Sequence, residues 1–298
     1  MNVGLSALVG PKNVSDFISC YEENRPYYLE EASSVISSVK ELPFLASLEA
    51  LINSWPSAIQ AHLPDVRDEV SSIDIYPKDA KKVFDNGMGL LFNEADKFSP
   101  DLVLWLKGIR EELGLPSLTY GRCLIYATPD GRGTAPHFDQ NINFVLQISG
   151  TKKWMMAPNE HVENPMTRHT MGLEPDPELS SYLDAPLPDK MPSKVQSFEL
   201  RPGSLLFVPR GYWHSTEAHG DALALNFTFT APTWIDLFTV ALRSRLAQIP
   251  EWRSTADGVS SLENREMAEF KFNELLSMIV QDLPNWRAED ILSAIENE

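Results

Sequence analysis

His137 and Asp139 stand two apart in the segment Gly131-Arg-Gly-Thr-Ala-Pro-His137-Phe-Asp139. On an extended strand, side chains at i and i+2 share a face, so both can reach one ion. A second segment, Gly203-Ser-Leu-Leu-Phe-Val-Pro209-Arg-Gly211-Tyr-Trp-His214, runs an apolar strand into a Pro/Gly corner and delivers another imidazole. Two imidazoles and one carboxylate on one side of an ion leave positions open opposite. That is the donor set of non-heme Fe(II) oxygenases, whose open positions take a co-substrate and dioxygen. An HxD pair alone is commonplace at surface turns, and His62, His161, His169 and His219 read as bystanders of that kind. The corner before His214 gives the pair its weight. It lies several strands downstream, which suits a small barrel with ligands pointing inward.

The elements that must position these groups follow from periodicity. Ile142, Phe144, Leu146 and Ile148 alternate with Asn141, Asn143, Val145 and Gln147, a strand with one greasy and one mixed face. Ser149-Gly150 turns the chain, and Lys152 to Ala157 reads as the next strand. Leu205 to Val208 and Ala222 to Thr230 read as further strands. Residues 158–193, rich in Pro, Asp, Glu and Asn, read as a long surface insertion that could act as a substrate lid. The first third reads as mostly helical. Its stripes are Val14, Phe17, Ile18 and Tyr21, then Leu48, Leu51, Ile52 and Trp55. The clearest helix opens at Ser99-Pro100, carries Leu102, Leu106, Ile109 and Leu113, and stops at Gly114. From Thr233 helical periodicity returns, with Trp234, Leu237, Phe238 and Leu242 in one stripe and Phe270, Leu275, Leu276 and Ile279 in another.

Composition narrows the function classes. Among 298 residues, 42 are acidic and 25 basic, a formal net charge of −17. No basic stripe offsets this, which argues against binding a phosphate backbone and leaves no nucleic-acid partner expected. An acidic surface favours a cationic partner. Two widely spaced cysteines, Cys20 and Cys123, build neither a disulfide framework nor a metal cluster. No apolar run reaches the ~18–20 residues that span a bilayer. The N-terminal stretch lacks the basic start of a signal peptide. A cytoplasmic protein without a membrane partner is the expectation.

Residues 203–214 match the second cupin motif, G(X)5PXG(X)2H, and residues 131–137 match the start of the first, G(X)5H, with Gly150 at its closing glycine. A usual cupin continues with a second His and a Glu; here Asp139 and Asn143 occupy those slots. The chain thereby resembles the JmjC branch of the cupins, the 2-oxoglutarate-dependent Fe(II) oxygenases. The asparagine that often follows the motif 2 histidine by four is replaced by Ala218, a position that is not a JmjC metal ligand. The run from His137 to Trp154 resembles the hypoxia-inducible-factor asparagine hydroxylase and the ribosomal oxygenases. In both groups a cation fifteen residues after the first His pairs with the distal carboxylate of 2-oxoglutarate, and that position is Lys152 here. Thr134, Asn143 and Asn226 match further co-substrate contacts. Val14 to Pro26 looks like the opening helix of the ribosomal oxygenases.

The resemblance implies a mainly β core, a double-stranded β-helix (jelly roll), with N-terminal helices and a C-terminal helical extension. The expected organisation is a mostly helical region over 1–115 packing on the barrel, a catalytic core over 116–231 and a helical region over 232–298. It implies iron held by His137, Asp139 and His214, 2-oxoglutarate and dioxygen as co-substrates, and hydroxylation of an amino-acid side chain in a protein or peptide. A small-molecule hydroxylase of the same chemistry and a non-catalytic cupin binding module are the alternatives. The intact triad argues against the binding module, and Lys152 discriminates against a different metal with different chemistry, because only a carboxylate co-substrate needs that cation. The acidic balance favours a cationic substrate. The apolar C-terminal stripes, with the family's habit of pairing through helices after the barrel, imply a homodimer.

Overall fold

The computed structural model describes residues 3–32, 37–63, 71–183 and 185–296. Eleven strands are found among them: β1 (Tyr27–Leu29), β2 (Ile59–His62), β3 (Ser72–Ile75), β4 (Gly89–Phe92), β5 (Tyr120–Thr128), β6 (Gly133–Phe138), β7 (Ile142–Ala157), β8 (His169–Thr170), β9 (Gln196–Leu200), β10 (Leu205–Val208) and β11 (Trp213–Thr230). Their antiparallel pairing makes the double-stranded β-helix that the sequence implies. One sheet runs in the order β1-β10-β7-β11-β5-β4-β2-β3, while β9 and β6 attach to the other halves of β7 and β11, and β8 to β6.

Two long strands therefore serve both sheets. Ile142 to Ser149 of β7 pairs with Leu223 to Phe229 of β11, and Thr151 to Ala157 pairs with Trp213 to His219. The chain crosses from one sheet to the other at Gly150, which has a φ of +66°. A Cβ there would stand 2.1 Å from the Asp221 carbonyl oxygen, so only glycine fits the bend. What reads in the sequence as a turn between two strands is a glycine hinge inside one.

The alternation of β5, β7 and β11 sorts residues onto two faces. Phe144 and Leu146 of β7, Leu223, Leu225, Phe227 and Phe229 of β11, and Cys123 and Ile125 of β5 pack outward into the main core. There they meet Phe17 of the helix Val14–Glu22, Leu51 of Leu48–Ser54, and Leu102, Trp105 and Ile109 of Pro100–Glu112. The opposite faces, carrying Arg122, Tyr126, Asn143, Asn226 and Thr228, line a cavity between the sheets. The greasy face thus lies outside the barrel and the mixed face inside.

The N-terminal third holds the expected helices and also four short strands, β1 at one edge of the large sheet and β4, β2 and β3 extending the other. Strands of three or four residues are too short to show a period of two. Ser99 precedes its helix with extended backbone, but its side chain makes no capping hydrogen bond; Pro100 marks the start instead.

Residues 158–193 are more than a surface loop. Val162 and Leu179 are buried with Phe138, Ala157 and Trp213 in a small core of their own, flanked by Met171, Tyr182, Leu183 and Leu187. The short strand β8 ties this segment to β6.

The chain divides into two compact units, one of residues 1–115 and 120–230, the other of 116–119 and 231–298. In the second, a capping box of Thr233 and Asp236 opens the helix Trp234–Leu246. Arg245 pairs with Asp282 at the end of the helix Arg265–Asp282, and the Trp286 indole N–H also donates to Asp282 at 2.8 Å. No helix among the described residues is long and apolar enough to cross a membrane.

Candidate active site

His137 near the end of β6 and His214 near the start of β11 are register partners across an antiparallel pair. Asp139 follows β6 directly. One donor atom from each of the three lies within 4.8 Å of the others. His137 Nε2 is 3.8 Å and His214 Nε2 3.5 Å from Asp139 Oδ2. Each imidazole is held from behind: His137 Nδ1 is 2.7 Å from the Ala135 carbonyl and His214 Nδ1 is 2.9 Å from the Tyr212 carbonyl. A carbonyl only accepts, so both Nδ1 atoms carry the proton and both Nε2 lone pairs face Asp139. The Pro209-Gly211 corner is stitched to the first motif, because the Gly211 N–H donates to the Asp139 carbonyl at 2.8 Å.

The electrostatics suit an ion. Burial pushes His137 down to about 3, aided by His214 and only partly opposed by Asp139. Burial lowers His214 as well. Neutral imidazoles are the ligating form. Burial opposes ionisation of Asp139, but the imidazoles, Arg168 and Arg122 outweigh it and hold the carboxyl below its usual range. Two neutral nitrogens and a carboxylate in preset tautomers fit a divalent first-row metal with positions left open. Trp154 stacks on His214, ring centroids 5.7 Å apart and planes 21° apart, which fixes that ring's orientation.

Lys152 and Lys153 part as strand alternation requires. Lys152 is 5% exposed and lines the cavity. Its Nζ donates to Thr128 Oγ1 at 2.8 Å and lies 6.0 Å from the Tyr126 ring centroid. Burial lowers its pKa to about 8. Lys152 pairs with Ala218, four positions along β11 from His214, or ~13 Å of strand. A lysine side chain and a five-carbon dicarboxylate together span such a gap, so the residues fit 2-oxoglutarate as well as the metal.

The remaining expected contacts all border the cavity. Asn143 is buried, and its Oδ1 accepts the Thr228 hydroxyl at 2.6 Å, which leaves its N–H2 to donate. Asn226 is buried with its Oδ1 unpartnered among the described residues. Thr134 is exposed, 2.9 Å from Thr216 Oγ1. Alternation from His137 would send Thr134 to the outer face. A register shift between His214 and Thr216 advances β6 three residues against two of β11 and brings it back.

Four lining residues escape the sequence reading. Thr128 is the partner of Lys152, and Thr228 that of Asn143. Arg168, carried by the 158–193 segment, places its Nε 3.2 Å from Asp139 Oδ1. Arg122 lies on β5, on the same face as Tyr126. None belongs to a motif. The cavity, about 280 Å3, is lined among the described residues by Arg122, Arg132, Lys152 and Arg168 and by one carboxylate, Asp139. These described charges run opposite to the net charge of the whole chain.

Residues 115–237 match the family model described as the JmjC domain. The uncharacterized protein YxbC of Bacillus subtilis is 30% identical over 285 residues, covering 94% of this chain and 86% of its own length. The chain belongs to the JmjC-domain family. Ribosomal oxygenase 1 of Rattus norvegicus is 27% identical over 170 residues, or 56% of this chain. The chain spans only about a quarter (26%) of that relative's length. The Escherichia coli ribosomal oxygenase YcfD, solved in complex with cobalt and 2-oxoglutarate, superposes with a TM-score of 0.55 at 19% identity. That match covers 90% of this chain and 66% of the other, and it establishes the JmjC fold.

Proposed function

We propose that this JmjC protein is an Fe(II)- and 2-oxoglutarate-dependent oxygenase that hydroxylates an amino-acid side chain in a protein or peptide. The observation that carries the reading is the joint presence, in one cavity, of the His137–Asp139–His214 donor set and the buried cation Lys152. A binding module without catalysis has no use for both. The ribosomal oxygenases among its relatives and structural neighbours support a protein substrate.

In this reading His137, Asp139 and His214 hold the ion, and Lys152 receives the distal carboxylate of 2-oxoglutarate with Thr128 beside it. Asn143 and Asn226 offer carboxamide donors, and Thr134 contributes a hydroxyl. When bound, iron supplies the oxygen chemistry: one atom of O2 enters succinate as 2-oxoglutarate loses CO2, and the other enters a substrate C–H bond. The chain orients these partners and keeps water out, with Trp154 and Tyr126 as apolar walls. Cys20 and Cys123, both free thiols, suit the reducing cytoplasm in which ferrous iron persists.

The reading includes a homodimer formed by the C-terminal unit. Trp234, Ile235 and Phe238 on one helix and Met267, Phe270, Phe272 and Val280 on the next are exposed. So many large apolar groups on a chain of net charge −17 call for cover. A twofold partner is the commonest solution.

Anaerobic titration with Fe(II) and then 2-oxoglutarate tests the enzyme assignment, followed by admission of O2 and assay of succinate. Sequential binding and O2-dependent succinate are expected. Absence of 2-oxoglutarate binding to the iron-loaded protein would refute it.

A further inference from the structure

The alternating inward residues of β5 are Arg122, Leu124, Tyr126 and Thr128, all on the cavity wall. Thr128 marks the Lys152 end. Arg122 lies six residues away, ~20 Å along the strand. The carboxyl carbons of 2-oxoglutarate are joined by four C–C bonds of about 1.5 Å, so they stand under about 6 Å apart. One such molecule, held by Lys152 at one end and by the His137–Asp139–His214 centre at the other, has no third group for Arg122. Arg122 belongs to a different ligand group.

Its surroundings are built for an anion that the chain does not itself provide. Arg122 sits in the register row with Thr228 and Asn143, across the sheet. Its guanidinium is 5.8 Å from the centroid of the Tyr120 ring, and its Nε is buried without a hydrogen-bond partner among the described residues. The two described carboxylates that bear on it are engaged elsewhere. Glu94 accepts from Tyr120 Oη and Lys97 Nζ, both at 2.7 Å, and Asp139 faces Arg168 and the imidazoles. Among the described residues the wall carries Arg122, Arg132, Lys152 and Arg168 and one carboxylate, Asp139. A guanidinium facing a cavity with an unused donor is an unmet demand for a planar acceptor.

We propose that Arg122 receives a carboxylate of the substrate, so that the residue oxidised is acidic or is presented next to a carboxylate. This rests on the oxygenase reading and names the substrate class of the same cavity. It reverses the preference for cations that the chain's net charge suggests, because the field inside the cavity is set by its lining and not by the distant surface. Gln140, beside Asp139, lines the same cavity with its side-chain Oε1 buried and without a partner among the described residues. It can accept an N–H of the substrate, which completes recognition of an amino-acid residue by carboxylate and amide together. The carboxylate could be an Asp or Glu side chain or the free α-carboxylate of a terminal residue.

A randomised short-peptide library, made in a C-terminal acid and a C-terminal amide form, distinguishes the two sources. Immobilised protein loaded with Mn(II) and 2-oxoglutarate without oxygen would select from each. Selection of Asp- or Glu-bearing peptides from both forms identifies a side-chain carboxylate; selection from the acid form alone identifies the terminus. Arg122→Gln should lose the enrichment by about tenfold or more, and Arg122→Lys should keep its direction. Arg122→Glu should turn the selection toward Lys- and Arg-bearing peptides, an inversion that misfolding does not produce. Enrichment of basic peptides by the wild type, no enrichment, or the same enrichment in Arg122→Gln would overturn the inference. Peptides selected for their carboxylates but never gaining an oxygen in Fe(II) and air would uphold the inference and sink the oxygenase reading instead.

Discussion

His137 and His214 lie opposite each other in the β6–β11 ladder, with ring centroids 4.1 Å apart. Each is locked by a carbonyl two residues earlier in the chain. The ladder that pairs their backbones is therefore what brings the two nitrogen donors together, and little side-chain rearrangement remains when an ion binds.

Asp139 is the anion of that assembly, so its removal should be felt first in metal affinity. Asp139→Ala is expected to weaken Mn(II) or Co(II) binding by roughly 100-fold or more, beyond the 10–100-fold that loss of an outer partner costs. It also removes the carboxylate that Arg168 faces. Calorimetric titration reads the affinity, and circular dichroism checks that the barrel is intact. Wild-type affinity would remove Asp139 from the centre.

Lys152→Ala should raise the 2-oxoglutarate requirement about ten- to a hundredfold, the worth of a charge-assisted hydrogen bond at ~1.5–3 kcal/mol. Metal affinity should hardly move. Lys153→Ala, on the other face of the strand, should match the wild type in the same turnover assay.

The pKa of Lys152, lowered by burial from 10.5 to about 8, gives that contact a pH signature. Between pH 8 and 10.5 the unfolded chain holds this proton and the folded chain has released it. The lysine's contribution to the stability of the ligand-free protein therefore rises with pH across that window. Affinity for 2-oxoglutarate goes the other way, falling by up to about tenfold per pH unit above 8 as the cation is lost. Calorimetry from pH 7 to 9.5 measures it. A flat affinity in the wild type, or a slope that survives in Lys152→Arg, contradicts the assignment.

The triad and Lys152 were legible because each sits in a local motif whose spacing survives without three-dimensional context. The alternation at 142–148 and the Pro209-Gly211 corner pointed to a small barrel, and the resemblance made it a jelly roll. Arg122, Thr128, Arg168 and Thr228 were not legible, since they come from β5, the 158–193 segment and β11 and are types found on any surface. Their role arises from register, Thr228 opposite Arg122 on one side and Asn143 on the other. Thr134 was legible by resemblance alone, because simple alternation gives it the wrong face until the bulge is known. Whole-chain charge said nothing of the cavity, whose few charges are a small sample of the total.

Gly133 pairs with Glu217 at the rim of the histidine ladder, where an added Cβ would stand 1.7 Å from the Thr216 carbonyl oxygen. Gly133→Ala must push β6 and β11 apart, at an expected ~3 kcal/mol, the upper range of overpacking. Gly131→Ala meets no atom within 4 Å but has a φ of +67°, so only ~1 kcal/mol of backbone strain is expected. Denaturant unfolding of the two variants compares them, and equal losses would place the ladder elsewhere.

The homodimer predicts a mass of about twice 33.5 kDa in light scattering at micromolar concentration. Trp234→Glu combined with Phe270→Glu should return the monomer mass while leaving the Fe(II) affinity of the barrel unchanged. A wild-type monomer at that concentration would end the proposal.

The barrel keeps its polar faces inside and its greasy faces outside, under the N-terminal helices. Burial of Phe144, Phe227 and Phe229 against Phe17 and Trp105 holds the fold, whereas Arg122, Asn226 and Thr228 on the reverse side of the same strands face the ligand. Adjacent positions along one strand thus answer to different demands. Lining residues can be exchanged with little harm to the apolar core, and core residues repacked without redrawing the cavity. A lineage with this architecture can change what it oxidises one alternate residue at a time.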